Sequence, residues 1–175
     1  MHSSAGERPL LWPLIGTTVF VLFVGPGPVI VLVPYLLTGW NLAPAFFGWE
    51  TTRWLGVVTC LAAAPLLANA LVGFVRRGQG TPAPVAPPRH LVVAGVYRYV
   101  RNPMYIGVLA MIVGQGVFLA SVVVLLYAAG VALAFHLFVV LYEEPALRRK
   151  FGDNYRAYCK QVPRWLPRWR AAGLQ

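Results

Sequence analysis

Three long runs without a charged residue divide the chain, and their lengths predict the helices. Residues 54–75 form an apolar run of 22 residues, enough for one helix across a hydrocarbon core of about 30 Å. Residues 10–37 are also uncharged, but Gly25-Pro26-Gly27-Pro28 interrupts them. Proline removes a helical hydrogen bond, so this stretch predicts one span over 14–36 kinked at Gly25–Pro28, with two shorter pieces as the alternative. The third run, 104–142, contains 39 residues. As one helix it would be roughly 58 Å long, about twice the bilayer core. It therefore predicts a hairpin of two helices, 104–119 and 122–142, reversing near Phe118–Ser121. Beyond it, acidic, basic and aromatic residues alternate with helical spacing, which predicts an amphipathic helix over 143–160 ended by Pro163 and Pro167. Residues 78–88 (GQGTPAPVAPP) read as a proline-rich connector. The expected architecture is a single domain over 1–175. It is an all-α integral membrane protein of about four transmembrane helices, the last two a hairpin, followed by a cytosolic amphipathic C-terminal helix.

Composition supports the membrane reading. Of the 175 residues, 58% are hydrophobic and 11% charged, where a soluble domain carries roughly a quarter charged residues. A water-soluble core of this length has too little interior for that much apolar surface, and a disordered chain would be far more polar. Basic residues number 15 against 5 acidic ones, and they are not spread evenly. Residues 76–101 hold five arginines and no acid, and the tail after Tyr142 holds eight basic residues against Glu143, Glu144 and Asp153. The loop between the first two spans has only Glu50 and Arg53, flanked by Trp40, Trp49 and Trp54 as interfacial anchors. Positive-inside bias then puts both basic segments on the cytoplasmic side of a multi-pass protein of the cytoplasmic membrane, consistent with two crossings between them. Arg148, Arg149 and Lys150 suit contacts with anionic membrane lipids. The terminal Trp165, Trp169 and arginines fit the same interfacial pattern, so nucleic acid is not an expected partner. Cys60, Cys159, His2, His90 and His136 are scattered, and no metal site is expected.

Polar residues inside or beside the spans carry the candidate chemistry. Asn69 and Gln115 suit hydrogen bonds between helices, and Gly107, Gly114 and Gly116 suit close helix packing. One cluster, Gly95-Val-Tyr-Arg-Tyr-Val-Arg-Asn-Pro-Met-Tyr-Ile-Gly107, enters the third span; Glu143-Glu144-Pro145 leaves the fourth. A hairpin brings both to one membrane face. Two adjacent carboxylates near lipid need cations or hydrogen bonds. A purely structural role would be an Arg101–Glu144 ion pair that closes the hairpin. A functional role would be a pocket for a zwitterionic, cationic cofactor such as S-adenosylmethionine: the glutamates would hold its ammonium or ribose hydroxyls, and arginine a carboxylate. His136 lies two helical turns before Glu143 and could point into that pocket. Composition and spacing alone do not select the cofactor.

The ordered set of motifs does. Gly95-Val96-Tyr97, Arg101-Asn102-Pro103-Met104-Tyr105-Ile106-Gly107, Glu143-Glu144-Pro145-Ala146-Leu147, Phe151-Gly152-Asp153-Asn154-Tyr155-Arg156-Ala157-Tyr158 and Val162-Pro163-Arg164 resemble the isoprenylcysteine carboxyl methyltransferase family in order and spacing, over roughly residues 78–168. Eukaryotic members usually have histidine where this chain has Asn102. The resemblance implies an S-adenosylmethionine-dependent membrane enzyme, an O-methyltransferase acting on a lipophilic small-molecule or lipid-linked acceptor such as an isoprenylcysteine carboxylate. It implies a cofactor site formed by the C-terminal half at the cytosolic face. Arg101 with Glu143 or Glu144 would then be catalytic, and Tyr97, Asn102, Tyr105, His136, Glu143 and Glu144 would bind the cofactor. Two other classes fit parts of the pattern. The tail also resembles NADPH-dependent sterol reductases, and a non-enzymatic membrane scaffold would use Arg101 and the glutamates only to fix the hairpin.

Overall fold

A computed structural model describes residues 25–78, 91 and 93–172. The first half of the expected first span and nearly all of the proline-rich connector lie outside the described residues. Among the described residues the fold is all-helical, without strands. It comprises α1 (Pro28–Thr38), α2 (Thr51–Gly78), α3 (Pro103–Phe118), α4 (Val122–Phe138) and α5 (Glu144–Gln161), with short 3-10 turns at Phe46–Gly48 and Gly95–Arg98.

The prolines of α1 explain its unusual opening. Its first five residues form a π turn in which the Val33 amide bonds to Pro28 O, and Pro34 has no amide to offer. The carbonyls of Val29 and Ile30 therefore lose their partners within the helix. Two polar side chains from other helices replace them: Tyr127 Oη donates to Val29 O at 3.1 Å and Gln115 Nε2 to Ile30 O at 2.9 Å. In an apolar setting such bonds hold α1 against α3 and α4 at a defined height.

Glycine sets the distance between α2 and α3. A Cβ added at Gly56 would sit 2.5 Å from Gly114 O, and one at Gly114 would sit 2.5 Å from Cys60 Sγ. Only hydrogen fits at this crossing. Arg53, at the start of α2, closes the far end by donating to Phe118 O and Ala43 O, both at 2.7 Å. The chain then reverses through Leu119 and Ala120, and Ser121 caps α4 by accepting from the Val124 amide at 3.4 Å. This central body is held by a cluster of Ile30, Val108, Ile112, Val124 and Ala128, all buried.

The hydrophobic pattern separates the fourth span from the terminal helix at Tyr142, but the structure does not break there. A π turn, Val139–Glu143, joins α4 to α5 into one continuous helix, with the Glu144 amide bonded to Val139 O. Pro145 supplies the physical reason: it lacks an amide in the first turn of α5, and the wider π turn absorbs that loss without ending the helix. The helical path is interrupted later, at Gly152, whose φ of 53° and ψ of −124° suit glycine alone.

After α5 the chain returns across residues 98–102. Backbone bonds run from Arg101 N to Pro163 O (2.9 Å), Arg168 N to Tyr99 O (3.0 Å) and Ala172 N to Arg98 O (3.1 Å). Tyr155, Tyr158, Val162 and Ala172 form a second buried cluster beneath this return, with Leu91, Leu147 and Phe151 packed against it. Thr51–Val72 and Val122–Gln161 are long and apolar enough to cross a membrane; Pro28–Thr38 and Pro103–Phe118 are shorter apolar helices. Their outward faces are apolar too: Leu61, Leu126, Leu133 and Leu141 are all at least 60% exposed.

Candidate active site

The return of residues 162–172 creates a cleft at the basic end, where α3 begins and α4 passes into α5. Tyr97, Arg101 and Asn102 line it from the segment before α3, Glu143 and Glu144 from the helical junction, and Tyr155 and Tyr158 from α5. The cleft thus joins the two sequence clusters that lie about forty residues apart along the chain.

Glu144 is its electrostatic centre. The residue is 4% exposed, and its carboxylate faces three arginines. Arg101 Nη1 reaches Oε1 at 2.9 Å, Arg164 forks across both oxygens at 2.7 and 3.0 Å, and Arg148 reaches Oε2 at 3.3 Å. Burial alone would raise the carboxyl pKa, but the Arg164 hydrogen bond and the charges of Arg101, Arg164 and Arg148 outweigh it and hold the value below the ordinary one. With its lone pairs committed to guanidinium groups, Glu144 holds Arg101 in place.

Glu143 is differently placed. The adjacent position on a helix turns away by roughly 100°, so Glu143 faces α3 rather than the returning tail. Among the described residues its carboxylate accepts from Tyr105 Oη, at 3.0 Å. Burial pushes its pKa up, the Tyr105 hydroxyl pulls it partly back, and the Glu144 charge adds to the rise. Glu143 therefore keeps free acceptor capacity inside the cleft. Arg101 has the complementary surplus: Nε is buried and has no hydrogen-bond partner among the described residues. Its Nη1 also donates to Cys159 Sγ at 2.9 Å. Burial, and then the Glu143 charge, push the Tyr97 hydroxyl well above its usual 10, so it stays a neutral donor.

Not every expected residue meets in the cleft. Asn102 lines it, but its Nδ2 donates to Arg164 O at 3.2 Å, tying the tail to the start of α3. Tyr105 stands behind Glu143 and acts through its hydroxyl. His136 does not line the cleft at all: it is exposed, and Nδ1 accepts from Trp165 Nε1 at 3.2 Å. The helix does place it two turns before Glu143, but the π turn between them changes the facing that a regular helical count implies. Four contributors escape a reading by helical periodicity. Arg164 and Trp165 lie beyond the helix, Cys159 looks like an isolated thiol, and Tyr158, whose hydroxyl donates to Tyr97 O at 2.7 Å, looks like ordinary core. Only the Val162-Pro163-Arg164 motif signalled Arg164.

The residues present fit a zwitterionic cofactor with a carboxylate and an ammonium. Arg101, which keeps one buried guanidinium nitrogen unpartnered, and Glu143, whose carboxylate is incompletely bonded, both line one aromatic-walled cleft, and a guanidinium and a carboxylate are the two complementary groups such a ligand requires.

Comparison with known proteins agrees with the motif order. Residues 79–154 match the family model described as phospholipid methyltransferase. The chain is 35% identical over 98 residues to a protein-S-isoprenylcysteine O-methyltransferase of Schizosaccharomyces pombe, covering 54% of this chain and 42% of that one. It is 36% identical over 77 residues to protein-S-isoprenylcysteine O-methyltransferase B of Arabidopsis thaliana, covering 44% of this chain and 39% of the relative. The chain thus spans about two fifths of the length of these curated relatives. Both comparisons support the resemblance to isoprenylcysteine carboxyl methyltransferases. No solved structure matches the chain significantly.

Proposed function

We propose that this chain is a membrane methyltransferase that uses S-adenosylmethionine to methylate a lipophilic acceptor, an isoprenylcysteine-type carboxylate. One observation carries the reading: a buried arginine with an unsatisfied donor and a carboxylate with free lone pairs share one cleft, beside apolar helices, in the segment similar to such enzymes. Four helices cross the bilayer in this reading, the last two as a hairpin. The basic end, with the cleft and α5, faces the cytoplasm, where positive charge is retained.

The cofactor supplies an electrophilic methyl on a sulfonium. The chain's contribution is to bind, orient and exclude water. Arg101, held by Glu144, supplies the positive charge that the cofactor carboxylate requires. Glu143, steadied by Tyr105, accepts from the ammonium or the ribose hydroxyls. Tyr97, Tyr155 and Tyr158 wall the cleft. A carboxylate acceptor would need no general base, because exchanging the carbon–sulfur bond for a carbon–oxygen bond would cancel the sulfonium and carboxylate charges without moving a proton. Alignment therefore supplies most of what the protein must provide, and well-oriented reactants can gain about 7–11 kcal/mol over free encounter. Glu144 is a positioning residue on this account.

The test is transfer of isotopically labelled methyl from S-adenosylmethionine to N-acetyl-S-farnesylcysteine by the full chain in nanodiscs, read by mass spectrometry. Base-labile label in the ester is expected. A wild-type preparation that binds both compounds and forms no ester contradicts the proposal.

A further inference from the structure

An aromatic corner adjoins the cleft without being part of it. Trp165 Nε1 donates to His136 Nδ1 at 3.2 Å, and the two rings lie 6.2 Å apart. Trp165 is also 6.5 Å from the ring of Tyr105, which packs at 4.6 Å on Phe135. Tyr105 in turn bonds Glu143 at 3.0 Å. A continuous line of contacts therefore runs from the cleft carboxylate to an exposed imidazole, through α3, α4 and the returning tail.

Three features of the corner bear on its ligand. The first is the imidazole's free edge. Tryptophan Nε1 can only donate, so His136 Nδ1 is the acceptor and the ring proton resides on Nε2. That edge presents a donor, which suits an anionic oxygen and opposes an ammonium. The second is the neighbouring surface of α4. Leu133 and Leu137, one turn apart on α4 and flanking His136 in sequence, are both exposed, giving an apolar chain a path along the helix. The third is charge. The exposed residues Arg148, Arg149, Arg156, Lys160, Arg168 and Arg170 surround this end against Asp153, a field that draws anions and repels cations.

We propose that the corner formed by Tyr105, Phe135, His136 and Trp165 seats the head group of the methyl acceptor. Its ligand is an amphiphile with an anionic carboxylate head and a hydrocarbon tail laid on the leucine stripe of α4. His136 Nε2 donates to the carboxylate oxygen that is not methylated, and Trp165 is the positioning residue that fixes which imidazole edge faces out. This inference rests on the methyltransferase reading for the identity of the acceptor, but its test does not depend on turnover.

N-acetyl-S-farnesylcysteine and its carboxamide are titrated into the full chain in phosphatidylcholine nanodiscs, and S-adenosylhomocysteine affinity is measured by calorimetry on the same samples. Wild type is expected to bind the carboxylate about tenfold or more tightly than the carboxamide, the size of one charge-assisted hydrogen bond. His136→Asn keeps an acceptor for Trp165 but lacks the Nε2 donor, so the preference falls to within about twofold. His136→Gln places an amide donor near the Nε2 position and retains most of it. Trp165→Phe weakens the preference less than His136→Asn does. S-adenosylhomocysteine affinity stays within about twofold throughout, because the corner lies outside the cleft. A preference that survives His136→Asn, the lack of any preference in wild type, or a parallel loss of S-adenosylhomocysteine affinity overturns the proposal. Failure of wild type to bind S-adenosylhomocysteine would instead count against the methyltransferase reading, with the carboxylate preference still read independently.

Discussion

Replacing Glu144 by glutamine tests the cleft's architecture most sharply, because the substitution removes one charge and almost no volume. The three arginine contacts are not equal. Arg101 is 12% exposed, Arg164 30% and Arg148 56%. An ion pair as open as that of Arg148 is worth about 0.5 kcal/mol or less. Removing the charged partner of a buried pair costs about 3–5 kcal/mol, and Arg101, with one nitrogen already unsatisfied, has no other anion to turn to among the described contacts. Glutamine still accepts through its carbonyl oxygen, which recovers about 1 kcal/mol. The expected net loss is about 2–4 kcal/mol, and it falls on the contact between the tail and residues 98–102. That loss corresponds to about 30–900-fold greater opening. Amide exchange of Arg101, Arg168 and Ala172, whose N–H groups bond Pro163, Tyr99 and Arg98, reads it directly by mass spectrometry in nanodiscs. Arg148→Ala should accelerate the same amides less than about threefold. If Glu144→Gln changes exchange no more than Arg148→Ala does, the carboxylate is not what fastens the tail, and the reasoning fails.

The two glutamates also carry opposite pH dependences. Glu144 has a lowered folded pKa, so its stabilisation is complete above the ordinary 4.5 and disappears as pH falls through the lower folded value. Glu143 has a raised one, so ionising it weakens the fold at neutral pH, and acidification through the raised value relieves that cost. Glu143→Gln should therefore raise Tm at neutral pH while weakening cofactor binding; a lower Tm would show that the carboxylate is well paired. Melting curves from acid to neutral pH should lose their acid limb in Glu144→Gln. Packing gives a further contrast. Gly114→Val drives side-chain atoms into Cys60 and the Gly56 carbonyl and should cost about 3 kcal/mol or more in thermal melts. Gly130→Ala meets nothing within 4 Å and should be neutral or stabilising by about 0.5 kcal/mol. Equal effects at the two positions would contradict the close α2–α3 crossing.

Sequence pattern reached the helical body because its signals are long. A charge-free run of 39 residues is too long for one span, and the chain does reverse at Leu119–Ala120. Gly114 and Gln115 were legible for a similar reason, since a small or amide residue in an apolar helix has few other uses. The α4–α5 junction was not legible. A charged pair followed by proline looks like a helix end, and nothing local indicates that a π turn will carry the helix through. In the site, Arg101 and the glutamates stood out as charges beside apolar runs. Which glutamate would be saturated depended on Arg164, brought in by a tail that pairs with residues 98–102 only in three dimensions. His136 shows the converse: regular spacing aimed it at the cleft, and an indole after the final helix gave it a different partner.

Titration of S-adenosylmethionine by calorimetry into the full chain in nanodiscs bears most directly on the central claim. Wild type should bind one equivalent saturably, Arg101→Ala and Glu143→Gln should bind about tenfold more weakly or worse, and His136→Asn should match wild type. Absence of saturable binding to wild type, or undiminished binding to Arg101→Ala, would contradict the account.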